Sequence, residues 1–198
     1  MAESAFEPSL EVLRAGGVLA WPTDTTWGLV ARADRSEALA RIYRLKGRPA
    51  DKPLQLLVAD LETALALLDP GWDPAPFVRL AKAFWPGALT LVAPAGPAAP
   101  AACVREGRVG LRQPADAELR RLLAAVGGYA AATSLNPSGR PPVRSYREAL
   151  RYADRVDRVH PGEAGGELAS TVVDVERGEV LREGAVPAEA ISKVLEAP

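Results

Sequence analysis

Residues 18–58 read VLAWPTDTTWGLVARADRSEALARIYRLKGRPADKPLQLLV, and this stretch decides the fold class. Val18–Trp21 is a short apolar run stopped by Pro22, which predicts a buried strand, because proline cannot donate to a strand ladder. A second strand is expected over Gly28–Ala33. Ser36 then caps a helical period that runs to Leu45, with Ala38, Ile42 and Leu45 on one face. Leu54–Val58 is again an apolar run of strand length. Strands and a helix exchanging at this pace give an α/β sheet covered by helices.

The rest of the chain keeps that rhythm. Upstream, Ser9–Arg14 fits a helix ended by Gly16-Gly17. Downstream, helices are expected over Leu61–Leu68, Phe77–Phe84, from a cap at Asp116 to Val126, over Ser145–Tyr152 and over Ala188–Leu195. Strands are expected at Leu89–Val92, Val109–Arg112, Ala130–Thr133, Ser170–Val175 and Glu179–Leu181, the last two joined by a turn at Arg177-Gly178. Pro94–Ala102, PAGPAAPAA, reads as a surface loop. Charge does not divide the 198 residues: positions 1–99 carry 10 basic and 11 acidic groups, positions 100–198 carry 14 of each, and one domain over 1–198 is expected.

Composition excludes several chemistries. Hydrophobic residues at 48%, with a net charge of −1, supply a core and rule out the disordered class. One Cys (Cys103) excludes an internal disulfide and multi-Cys metal sites. One His (His160), ahead of Pro161-Gly162, excludes two-His metal motifs and reads as a turn residue rather than a base. No G-x-S-x-G elbow and no P-loop occur. No apolar run is long enough to span a membrane, and the acidic N-terminus is unlike a signal peptide, so a cytoplasmic protein is expected.

Polar clusters fall at the ends of the apolar strands, where ligands of α/β sheets collect. Trp21–Leu29, WPTDTTWGL, offers three Thr and one Asp; the same residues also fit a turn that caps the next element, and composition alone favours the turn. Leu45–Leu54, LKGRPADKPL, has three cations at a helix end; they complement the helix dipole and equally suit phosphates. Phe84–Thr90 is FWPGALT, and Arg112 ends the strand in VGLRQP. Ala132–Pro142, ATSLNPSGRPP, carries two Ser and the sole Asn. Ser170-Thr171 opens a strand that is followed by LREG from Leu181.

In order, these segments are PTDTTWGL, KGRPADKPL, WPGALT, RQP, SLNPSG, STVVD and LREG, over about residues 8–192. The series resembles the YrdC-like family, whose enzymatic members are threonylcarbamoyl-AMP synthases. The resemblance implies a single twisted mixed sheet covered by helices, with a central concave cleft, as in the short bacterial type. It implies a nucleotidyltransferase that joins L-threonine, bicarbonate and ATP and releases pyrophosphate, for threonylcarbamoyladenosine formation in tRNA. The alternative within the family is an RNA-binding paralogue without synthase activity.

The same resemblance assigns roles. Thr25, Arg112, Ser134 and Ser170 correspond to threonine contacts. Lys46, Arg48 and Lys52 correspond to a phosphate clamp, with Lys46 and Arg48 catalytic. Thr90, Asn136, Arg144 and Arg182 correspond to further nucleotide contacts. Mg²⁺ is expected with ATP, held by phosphate oxygens and water rather than by a protein ligand. Implied partners include tRNA and the threonylcarbamoyl-transferase complex that consumes the product, and no membrane. Leu57 stands where some relatives carry His, and TSLN where PSAN is more usual. Trp21, Trp27 and Trp85 flank motifs but read as core.

Overall fold

Alternate residues of the central strands face two different environments, and that alternation lays out the whole molecule. The computed structural model describes residues 5–49 and 52–196. In chain order the helices are α1 (Phe6–Arg14), α2 (Ser36–Lys46), α3 (Leu61–Ala66), α4 (Ala75–Phe84), α5 (Ala117–Ala124), α6 (Tyr146–Ala149) and α7 (Ala188–Glu196). The strands are β1 (Val18–Pro22), β2 (Trp27–Ala31), β3 (Gln55–Val58), β4 (Leu89–Pro94), β5 (Val104–Arg105), β6 (Arg108–Arg112), β7 (Tyr129–Ser134), β8 (Arg158–Val159), β9 (Thr171–Asp174) and β10 (Glu179–Arg182).

All the strands join one twisted mixed sheet in the order β10-β9-β4-β6-β3-β7-β2-β1-β8, with β5 folded back on β6. The pairs β1/β8, β3/β6 and β4/β9 are parallel, and the rest are antiparallel. Side chains alternate across such a sheet. Leu89, Leu91 and Ala93 of β4, Val109 and Leu111 of β6, and Val173 of β9 enter one core with Ile42 of α2, Ala64 of α3, Phe77 and Leu80 of α4 and Ile191 of α7. The opposite face carries a second, smaller core. There Leu19, Trp21 and Val30 pack under Phe6, Leu10 and Leu13 of α1 and Leu119, Leu122 and Leu123 of α5. Beyond α1 and α5 the same face is a cavity, lined by the alternate residues of β4, β6 and β9: Thr90 and Val92, Arg108, Gly110 and Arg112, Val172 and Asp174.

The expected elements are present, with shifted ends. Pro22 is the last residue of β1, not a stop beyond it, and pairs with Trp27. The TDTT segment is therefore the tip of the β1–β2 hairpin. Ser36 is the first helical residue of α2, whose cap position is Arg35 with no side-chain bond. Asp116 and Ser145 do cap α5 and α6, accepting from the amides of Leu119 and Glu148. Pro94 closes β4, and Ala101–Cys103 is a short 3-10 turn, so PAGPAAPAA is loop only in its middle. The two-residue strands β5 and β8 had no periodicity by which to be read. No helix among the described residues is long and apolar enough to cross a membrane.

Candidate active site

The cavity measures about 780 Å³, a size usual for small-molecule sites. Seven cations line it (Arg48, Lys52, Arg105, Arg108, Arg112, Arg177 and Arg182) against two carboxylates, Glu106 and Asp174. The distal carboxylates are occupied: Asp174 pairs with Arg108 and Arg177, while Arg105 stands 3.6 Å from Glu106. The near end holds Arg48, Arg112 and Arg182, with Asp24 as the counter-ion of Arg112, and the cations in excess suit an anion.

Arg112 sits at the end of β6 and is 3% exposed. Its Nε donates to Gly87 O at 3.0 Å, Nη1 to Thr25 Oγ1 at 2.9 Å and Nη2 to Asp24 Oδ1 at 2.7 Å. A guanidinium has five N–H donors. Three are spent on Gly87, Thr25 and Asp24, which leaves one N–H on each Nη. Thr25 is held in turn by Thr23: the hydroxyls lie 2.9 Å apart, the Thr25 amide donates to Thr23 Oγ1 at 3.1 Å, and Thr23 Oγ1 donates to Thr26 O at 2.7 Å. Burial works against the Arg112 charge, and Asp24 works for it.

Across the floor, the hydroxyls of Thr90 and Ser170 are 2.8 Å apart, and Thr90 Oγ1 donates to Gln55 Oε1 at 3.0 Å. Arg182 Nη2 donates to Ser170 O at 2.6 Å and lies 3.3 Å from Ser170 Oγ. The LREG segment reaches Ser170 because Gly184 has no side chain: a Cβ there would stand 2.3 Å from Ala169 O. Burial lowers the Arg182 pKa, and the charges of Arg112 and Arg48 lower it further. Three guanidinium groups thus repel one another across one space, which a phosphate chain would relieve.

The phosphate-clamp residues divide. Gly47 ends α2 in the left-handed conformation at φ 55°, and the Arg48 amide closes back on Tyr43 O at 3.0 Å. That turn sends Arg48 to the cavity wall, where its Nε and Nη2 also donate to the carbonyls of Lys52 and Pro53. Lys52 lines the cavity too. Lys46 does not: it is 3% exposed and its Nζ donates to Ser134 O at 2.5 Å, Asn136 O at 2.8 Å and Asn136 Oδ1 at 3.0 Å. Burial, then the Arg48 charge, pulls this ammonium down to about 8. Asn136 is likewise behind the wall, with its Nδ2 donating to Pro137 O and Arg140 O. Arg144 is exposed at the start of α6, its amide donating to Glu148, and is not among the cavity's residues. Thr25, Arg48, Lys52, Thr90, Arg112, Ser134, Ser170 and Arg182 do meet in the one cavity.

Comparison with known proteins shows the family. The family model Sua5_yciO_yrdC, described as telomere recombination, matches residues 11–184. The chain belongs to the Sua5/YciO/YrdC family. A Halorhodospira halophila relative named threonylcarbamoyl-AMP synthase is 39% identical over 174 residues, 86% of this chain and 90% of its own. The crystal structure of P. abyssi Sua5 complexed with L-threonine superposes with a TM-score of 0.86 at 33% identity, covering 96% of this chain and 57% of that one. E. coli YciO gives a TM-score of 0.83 at 25% identity, covering 94% and 92%.

Within this Sua5/YciO/YrdC frame, other residues fall where sequence did not put them. His160 is not a turn residue. It is 4% exposed, stacked on Trp21 at 3.6 Å between ring centres, with Nδ1 3.0 Å from Ser9 Oγ, and burial pushes its pKa down to about 4. It belongs to the α1 side of the sheet, away from the cavity. Trp21, Trp27 and Trp85 are core residues, as expected. Cys103 is buried, with its pKa raised to about 12.

Residues assigned no site role from sequence hold the others in place: Asp24, read as a turn carboxylate, and Gly87 on Arg112, Gln55 on Thr90, and the Gly165-Gly166 pair, whose amides donate to Thr23 O and Thr25 O at 2.9 Å each. The adjacent glycines were the signal available for that last contact. Among the described residues, no group of three His, Cys, Asp or Glu is placed to hold a metal, and Asp24 is already paired with Arg112.

Proposed function

We propose that the protein is an L-threonylcarbamoyladenylate synthase, a nucleotidyltransferase acting on L-threonine, bicarbonate and ATP. The observation that carries this reading is one cavity in which an oriented guanidinium (Arg112) stands beside a positive wall (Arg48, Lys52, Arg182) and three hydroxyls (Thr25, Ser134, Ser170). The names of the relatives, and the L-threonine complexed with P. abyssi Sua5 in its crystal structure, support it.

The chemistry suits such a site. The threonine ammonium and bicarbonate give a carbamate, water and a proton. A carbamate oxygen then bonds to the α-phosphorus of ATP as the bond to the bridging oxygen breaks, and that electron pair leaves with pyrophosphate. No side chain needs to become a nucleophile. Arg112 binds the threonine carboxylate, and the hydroxyls of Thr25, Ser134 and Ser170 orient its polar groups. Arg48, Lys52 and Arg182 neutralise charge on the phosphates, the usual main contribution in phosphoryl chemistry. Mg²⁺ bound to ATP would lower the charge on the triphosphate, and the residues named above act alongside it. The product then serves tRNA modification by a partner transferase in the cytoplasm.

The experiment is pyrophosphate release from the purified protein, with each substrate omitted in turn. Release that requires ATP, L-threonine and bicarbonate together supports the reading. Release without threonine, or tight salt-sensitive RNA binding with no release, overturns it.

A further inference from the structure

The resemblance casts Lys46 as part of the phosphate clamp, and the structure gives it different work. An ammonium has three N–H donors. All three are matched by oxygens within 3.0 Å: Ser134 O, Asn136 O and Asn136 Oδ1. The main chain of the same residue is tied to the same segment, since the Ser138 amide donates to Lys46 O at 2.7 Å. Asn136 completes the knot by donating to Pro137 O and Arg140 O. Lys46 is buried, and Ser134 lines the cavity in front of it with its Oγ 3.4 Å from Nζ.

We infer that Lys46 is a positioning residue: its ammonium ties the turn after β7 to the end of α2 and so holds the Ser134 hydroxyl at the cavity wall, while the phosphates are left to Arg48, Lys52 and Arg182. This inference rests on the synthase reading. A clamp works through charge, whereas an anchor works through hydrogen-bond donors pointed at buried carbonyls, which are costly to leave unmatched. The two roles therefore part company when the charge is removed and two of the three donors are kept.

The test compares Lys46→Gln, Lys46→Met and Arg48→Ala by calorimetric titration with inorganic tripolyphosphate and, separately, with L-threonine. The anchor predicts that Lys46→Gln keeps both affinities within about 3-fold of wild type, because the amide still donates. It predicts that Lys46→Met weakens threonine by about 10-fold or more, yet tripolyphosphate by less than about 3-fold, while Arg48→Ala weakens tripolyphosphate by about 10-fold or more; a factor of 10 is 1.4 kcal/mol. Both Lys46 variants losing tripolyphosphate as Arg48→Ala does would overturn the inference and restore the clamp. The Gln amide brings two N–H donors against the three of the ammonium, so Lys46→Gln should fold with only a modest loss of stability, and failure to fold also counts against the inference. If the wild-type protein binds neither ligand, the synthase reading has failed, and the inference with it.

Discussion

Replacing Arg112 by Met tests whether Arg112 and Asp24 act as one unit. Arg112 is 3% exposed and the Asp24 side chain 16%, and they meet at 2.7 Å. The change leaves Gly87 O and Thr25 Oγ1 without their donor and leaves the Asp24 carboxylate without a counter-ion. Breaking a buried pair from one side costs about 3–5 kcal/mol. Asp24 keeps some contact with solvent, so the lower end, about 3 kcal/mol, is expected. For a chain of this size that is a fall in melting temperature of roughly 6–12 °C.

Asp24→Asn in the same background removes the stranded charge. Asp24→Asn alone weakens the pair from the other side and should cost about 2 kcal/mol, so a double variant no less stable than Arg112→Met alone amounts to a coupling of about 2 kcal/mol, within the range for residues in contact. Urea unfolding of the wild type, both single variants and the double variant measures it. Single effects that add within about 0.5 kcal/mol would refute the reasoning, and so would an Arg112→Met protein as stable as wild type.

Arg48→Ala should lower the rate of pyrophosphate release by about 100-fold while moving stability by less than about 1 kcal/mol, since Arg48 is only half-buried; an unchanged rate removes it from the phosphate wall. Lys46 is a base whose pKa falls from 10.5 to about 8 on folding, so the unfolded chain binds more protons between those values and stability rises with pH there. Relative to Lys46→Met, the wild type should gain about 3 kcal/mol between pH 8 and 10.5 in urea titrations, at 1.36 kcal/mol per pH unit; a flat difference contradicts this. His160 is likewise neutral in the fold until about pH 4, against 6.5 unfolded. Relative to His160→Gln, the wild type should lose about 3 kcal/mol as pH falls from 6.5 to 4, read by chemical unfolding at each pH; equal acid sensitivity of the two proteins would show that His160 is not the group responsible.

Sequence carried the α/β class because Val18–Trp21 and Leu54–Val58 are apolar runs of strand length beside the helical period of residues 36–45. Which strands pair is a different matter: β3 lies between β6 and β7, a neighbourhood settled by packing over long stretches of chain rather than by any local pattern. Ser9 shows the same limit. It reads as a helix start, yet it lies in the fourth position of α1 and meets His160 from 151 residues away. The cavity itself was legible where its lining comes from residues at strand ends, such as Arg112, Ser134 and Ser170. It was not legible where a side chain bends away from the ligand space: Lys46 and Arg48 are two residues apart in one motif, and only the glycine turn between them sends one inward to β7 and the other to the wall. Asp24 was visible as a turn carboxylate, but its partner Arg112 is 88 residues distant.

The most direct measurement is mass spectrometry of the product formed from ¹³C-bicarbonate, L-threonine and ATP by the wild-type protein. The account predicts an adenylate that contains the threonyl group and one labelled carbon, formed in step with pyrophosphate. An unlabelled threonyl-adenylate, or AMP and pyrophosphate with no labelled adduct, would contradict it.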